Sequence, residues 1–249
     1  MRIRILLCLL TIGALGAPVR ASAPASSIPA IVQQAAQTAA LENSGVTVHE
    51  RHITVLAEAG PAHFTQSNDA IMLMTDGAYT HIHYLYIEER GHALGANDVA
   101  KRESENNRDL ERGVGFFKQP FDRRYIADYQ YTTAPCTCDP GEIDVHFTSL
   151  VRDDQHGAGT MRIDEGTGHV MELTYTPNVL PDRANSATIN ETFGQALPGL
   201  WTIVRIDREY SGRVLFVSGH GTVTELLDHF HHFTNAGTGE AYYRTAMLQ

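Results

Sequence analysis

Thirteen histidines in 249 residues are the first place to look for chemistry. His49-Glu50-Arg51-His52 is one residue short of the zinc-protease signature, in which two histidines at i and i+4 share a helix face. The Val46-Thr47-Val48 run before it also favours strand, so a helical zinc site is rejected. His81-Ile82-His83 places two imidazoles on one strand face, a sound two-ligand geometry. The Asp-His pair that a metallo-hydrolase of the His-x-His-x-Asp-His type needs does not follow. Asp228-His229-Phe230-His231-His232 is the densest group, with His229 and His231 expected on one strand face. A site joining it to His81 and His83 would suit a zinc-dependent exported hydrolase. Polar strand faces explain the clusters more simply, so no metal ligand and no cofactor is expected.

Other nucleophile and cofactor signals are missing. There is no Gly-x-Ser-x-Gly elbow, and Gly219-His220-Gly221 lacks the third glycine and following helix of a dinucleotide fingerprint. No catalytic residue is expected. Cys136 and Cys138 stand two apart between Pro135 and Pro140. Three states remain open for them: a local disulfide in a tight turn, a free thiol pair, or part of a metal site with ligands from elsewhere.

Arg2 and Arg4 precede an apolar stretch, Ile5 to Leu15, which Gly16 and Pro18 break before a run of small residues. This is the pattern of a secretory signal peptide over residues 1–25, cleaved before Ser22 or Ser26. The mature protein is therefore expected in the periplasm or secreted. The apolar stretch is well below the ~20 residues that span a bilayer, so no stable membrane insertion is expected. Losing Arg2, Arg4 and Arg20 with no acidic residue moves the formal charge from −10 to −13. Such a chain repels nucleic acid, which is excluded as a partner.

The elements that must position any site are mostly strands. Ile28, Ile31, Val32, Ala35, Ala36 and Ala39 recur at helical spacing, predicting one amphipathic helix ending before Gly45. Val46–Val48 and Ile53–Leu56 read as two short strands, and Asp76-Gly77 as a two-residue hairpin turn. Residues 97–112 are polar and helix-permissive, a solvated helix or lid. Arg123–Thr132 reads as strand with Tyr125, Tyr129 and Tyr131 on one face, and Ile143, Val145 and Phe147 alternate with polar residues. Residues 160–176 form the clearest hairpin, and Asp182–Phe193 is a further strand. Trp201–Glu209 is expected to turn at Ser211-Gly212 and return to Ser218. The fold class is mainly β with minor α: a curved antiparallel sheet or unclosed half-barrel with one or two helices, and one domain over residues 26–249.

A curved sheet of this size either fills its interior or leaves room for an apolar ligand. The run Gly159-Thr160-Met161-Arg162-Ile163-Asp164-Glu165-Gly166-Thr167-Gly168-His169-Val170-Met171-Glu172-Leu173 resembles the hairpin of bacterial outer-membrane lipoprotein-sorting (LolA-like) proteins. Gly199-Leu200-Trp201 and Gly212-Arg213-Val214-Leu215-Phe216 are similar to the next part of that pattern, so the resemblance covers roughly residues 120–233. It implies a half-barrel with a helical lid over a hydrophobic cavity that binds acyl chains. The expected function is an exported, non-catalytic carrier for a hydrophobic or acylated small molecule or a lipidated protein. Candidate ligand-binding residues are Tyr129, Tyr131, Val145, Phe147, Met171, Leu173, Tyr175 and Trp201. A zinc hydrolase and a structural envelope protein with a filled core are the rival readings.

Overall fold

A computed structural model describes residues 28–114, 116–134, 139–180, 184–214 and 217–248. The expected signal peptide and the Cys136–Cys138 turn lie outside the described residues. Helix α1 (Ala30–Glu42) leads into strands β1 (Val46–Ala59), β2 (Ala62–Thr75), β3 (Ala78–Glu89) and the short β4 (His92–Ala93), followed by α2 (Ala96–Glu111). A 3-10 turn over Ile126–Asp128 opens the second run: β5 (Tyr129–Ala134), β6 (Glu142–Ser149), β7 (Gly157–Asp164) and β8 (Val170–Pro177). β9 (Ala184–Leu197), β10 (Leu200–Val214), β11 (Val217–Phe233) and α3 (Ala236–Ala246) complete the chain.

The eleven strands of the described residues join one antiparallel sheet in the order β4-β3-β2-β1-β11-β10-β9-β8-β7-β6-β5. The first long strand thus pairs with the last in mid-sheet, while β4 and β5 stay unpaired with each other and the half-barrel is open. Alternation sorts the side chains between two faces. The inner face carries Tyr129, Tyr131, Val145, Phe147, Met161, Ile163, Leu173, Ile189 and Phe193, packed with Val32 and Ala35 of α1. Ala70, Met72 and Ile82 continue it toward the other edge, against Val99 and Leu110 of α2. On the outer face, Val46, Val48, Ile71 and Leu73 meet Tyr243 of α3. Gly239 allows that contact, because a Cβ there would stand 2.4 Å from Val46 Cγ1.

The Asp76-Gly77 turn forms as expected. Both residues are left-handed (φ 48° and 74°), matching the strand twist of a tight hairpin. Asp76 Oδ1 also accepts from the Gly45 amide at 2.8 Å, tying this hairpin to the α1–β1 junction.

Four expectations need correction. β1 is one 14-residue strand rather than two short ones, because Glu50 and His52 point to the outer face while Arg51 points inward. β10 does not turn at Ser211-Gly212: Ser211 pairs with Ser186 on one side and His220 on the other, so two ladders override local turn preference. Residues 123–128 form a turn and a 3-10 helix, so the strand begins at Tyr129 and, of the three tyrosines, Tyr125 stays outside it. Three α-helices are present among the described residues, where one or two were expected. The third is capped by Asn235, whose side chain accepts from the Thr238 amide at 3.1 Å.

Candidate functional site

A cavity of about 400 Å³ opens between the inner face, α1, the β2–β3 hairpin and residues 113–114 and 116–125. Its α1 wall is made of Ala35, Ala36, Ala39 and Ala40, whose small side chains leave the space that larger ones would occupy. The roof is the 116–125 segment, which presents Phe116, Phe117 and Phe121. Phe117 stacks on Tyr175 with ring centroids 3.6 Å apart, Phe116 stacks on Tyr79 at 4.2 Å, and Phe121 meets Phe193 edge-on at 5.6 Å. Two phenols anchor that roof: Tyr129 donates to the Lys118 carbonyl, and Tyr131 donates to the Pro120 carbonyl at 2.6 Å.

One part of the lining is built around Trp201. Its indole N–H donates to the Val170 carbonyl at 2.8 Å, and its ring stacks on His169 at 4.4 Å. His169 in turn meets Glu42 at 3.0 Å, and Asn43 donates to the Trp201 carbonyl at 3.3 Å. The C-terminus of α1 is thereby fixed to the starts of β8 and β10.

The floor is polar beneath an apolar wall. Glu191 is 3% exposed and accepts from Gln119 at 2.6 Å and from Tyr175 at 3.0 Å. Burial pushes its pKa above the usual carboxylate range, although both hydrogen bonds pull the other way. Arg208 pairs with Glu225 across β10 and β11. Burial opposes the Arg208 charge, and the Glu225 carboxylate more than restores it. The phenols of Tyr79 and Tyr175 are raised, chiefly by burial.

Of the eight residues singled out in the sequence, Tyr175 and Trp201 line the cavity. Tyr129, Tyr131, Val145, Phe147 and Leu173 are buried in the main hydrophobic cluster, to which Tyr175 also belongs, and the first five are not among the lining residues. Met171 is half-buried, at the register shift where Ile163 pairs with Val170 and Arg162 with Glu172, and joins neither group. Sequence reasoning missed the roof and the floor. The roof has no periodicity to mark it, but Phe116-Phe117 and Phe121 in an otherwise polar stretch were its signal. The floor was hidden because Arg208, Glu225 and Glu191 look like ordinary polar strand residues.

The expected join of His81 and His83 to the Asp228–His232 run does not form, and neither histidine belongs to the one group of possible metal ligands among the described residues. His49 and His52, three apart on a strand, lie on opposite faces. His49 is 1% exposed, stacked on Phe230 at 5.0 Å and edge-on to Tyr79 at 5.8 Å, with no hydrogen-bond partner for either nitrogen among the described residues. Burial, then Arg51, lowers its pKa to about 3. His83 pairs with Glu103 of α2 at 2.9 Å, while His81 lies near Tyr243 and His231 near Tyr242. No helix among the described residues is long and apolar enough to cross a membrane.

No protein-family model matches the chain, and no curated protein matches it in sequence. Among solved structures it is similar to a DUF1329 family protein from Desulfovibrio piger, with 12% identity over 90% of this chain and 100% of that one, at a TM-score of 0.46. It is similar to a domain assigned to outer membrane lipoprotein sorting from Vibrio parahaemolyticus, with 9% identity over 88% of this chain and 98% of that one (TM-score 0.42). A LolA superfamily protein from Nitrosomonas europaea shows 8% identity over 81% of this chain and 93% of that one (TM-score 0.36).

Proposed function

We propose that this is an exported, non-catalytic carrier whose inner-face cavity holds an apolar or acylated molecule, either free or attached to a protein. The signal-peptide pattern supports a mature chain, read as a single domain over residues 26–249, that works in the periplasm or outside the cell. The observation that carries the reading is the cavity itself: about 400 Å³, walled by alanines and aromatic rings. That size is within the range of small-molecule sites, and an apolar chain in it would leave water with a favourable free energy of ~25 cal/mol per Å² buried. Glu191 and Arg208 on the floor offer one polar anchor, so the expected occupant is an amphipath with a single polar head rather than a plain hydrocarbon.

The test is titration of the mature protein with palmitate, followed by emission of Trp201, the only tryptophan. Trp201 lines the cavity, so a saturable emission change at one ligand per chain is expected. Native mass spectrometry of protein from its own compartment should show a retained lipid. No saturable response to any acyl chain would overturn the carrier reading in favour of a filled core.

A further inference from the structure

We propose that Glu50, His52, Asp228 and His229 form a binding site for one divalent transition metal of the zinc class, on the outer face of the sheet and behind the cavity. One ligand atom from each of the four lies within 4.8 Å of the other three. His52 Nε2 is 3.2 Å from Asp228 Oδ1 and 3.8 Å from Glu50 Oε2. His229 Nδ1 is 3.2 Å from Glu50 Oε2 and 3.4 Å from Asp228 Oδ1. Zinc bonds to imidazole and carboxylate of about 2.0–2.2 Å at tetrahedral angles put neighbouring ligand atoms roughly 3.3–3.6 Å apart. Four of the six edges therefore already stand close to that figure.

The orientation of His52 is the second observation. Its Nδ1 is 2.8 Å from Asp69 Oδ1 on β2, so Nδ1–H donates to the carboxylate and the Nε2 lone pair faces Asp228 and Glu50. A carboxylate behind a ligating histidine is the usual way a metal-binding tautomer is fixed. Ion pairing alone would need only one carboxylate per imidazole. Here two imidazoles converge on the same two carboxylates.

A β-bulge completes the set. Val48 pairs with His231 and Glu50 with Asp228, so His229 and Phe230 together stand opposite His49. The left-handed backbone of His229 (φ 49°) puts its ring beside Asp228 on the outer face, while Phe230 turns inward onto His49. Without the extra residue, His229 and Asp228 would alternate to opposite faces. Two nitrogens and two oxygens suit zinc, cobalt or nickel better than magnesium or calcium, which take oxygen ligands. Exposure of 36% to 67% along the four side chains gives the ion an entry path. Bound there, it would clip β1 to β11, where the first and last long strands meet.

The test uses tag-free mature protein stripped with chelator, titrated calorimetrically with zinc chloride and, separately, with cobalt(II). One zinc per chain is expected, with a tetrahedral visible spectrum for cobalt. A rise in melting temperature on the order of 5–10 °C is expected at zinc a hundredfold above Kd. His52→Gln and His229→Asn should abolish all three signals; asparagine tolerates the left-handed backbone, and an unchanged metal-free melting temperature confirms the fold. Asp69→Asn should weaken binding ~10- to 100-fold. His63→Ala, which removes an exposed histidine paired with Glu58 elsewhere on the sheet, should change nothing. Absence of binding by the wild type, or zinc binding that survives both ligand variants, would overturn the site. Either result leaves palmitate binding in the cavity unaffected.

Discussion

The Tyr131 hydroxyl lies 2.6 Å from the Pro120 carbonyl and 2.9 Å from that of Ile126, so a ring on β5 holds the segment that roofs the cavity. Tyr131→Phe keeps the ring in the core and leaves both carbonyls without that donor. The expected cost is ~1–2 kcal/mol, concentrated in the roof. Amides of residues 116–125 should exchange faster with deuterium than in wild type, while those of β6 and β7 keep their protection. Uniform acceleration across the chain would show that Tyr131 supports the whole sheet rather than the roof.

This relationship marks where the sequence could be read and where it could not. Period-two alternation in Val145, Phe147, Leu173 and Tyr175 identified the buried face, because a strand has only two faces and the apolar one must be covered. The same pattern cannot say whether a buried face touches ligand or another part of the chain. Leu173 and Phe147 do the latter. Met171 sits at the shift in pairing between Arg162 and Ile163, which no periodicity in the sequence marks. The bulge at His229 was equally silent, because its residue types do not announce an extra residue in the ladder. The Cys-Thr-Cys run belongs to no described element, so its three states stay as the sequence left them.

Burial of His49 makes stability depend on pH. Its pKa is lowered from 6.5 to about 3, so below the ordinary value the unfolded chain takes up a proton that the folded protein refuses. This contribution is complete above 6.5 and is lost as pH falls toward 3, by about 1.4 kcal/mol per pH unit inside the window. Glu191 works oppositely: its raised pKa gives stability that is present below 4.5 and lost as pH rises. His49→Phe isolates the first effect. Between about pH 7 and pH 5, urea titration should show wild type losing roughly 2 kcal/mol more than the variant. Equal losses would mean that His49 is protonated in the folded protein.

Asn107 of α2 imitates a strand. Its side-chain oxygen accepts from the Ile82 amide at 2.8 Å and its nitrogen donates to the Ile82 carbonyl at 2.9 Å, while Glu103 accepts from the Tyr84 amide at 3.0 Å. The helix thereby blocks the part of the β3 edge that β4 does not reach, since β4 pairs only with Glu88 and Glu89. Asn107→Ala should cost ~1–3 kcal/mol and uncover an edge able to pair with another chain. Light scattering at elevated protein concentration should show the variant associating where wild type stays dispersed. A variant that is destabilised but does not associate would leave Asn107 as a helix-docking residue only.

Filling the cavity separates ligand binding from core packing. Ala39 of α1 lines the cavity, whereas Leu173 lies in the packed cluster at 0% exposure. Ala39→Leu adds a branched side chain to open space, so stability should hold or rise by about 0.5–2 kcal/mol while palmitate affinity falls. Leu173→Ala should instead cost ~2–5 kcal/mol through the void it leaves, with the lining itself unchanged. Paired urea and palmitate titrations on the two variants read both effects. If Ala39→Leu destabilises as a core insertion would, the space beside α1 is closed in solution, and the wall of alanines serves packing alone.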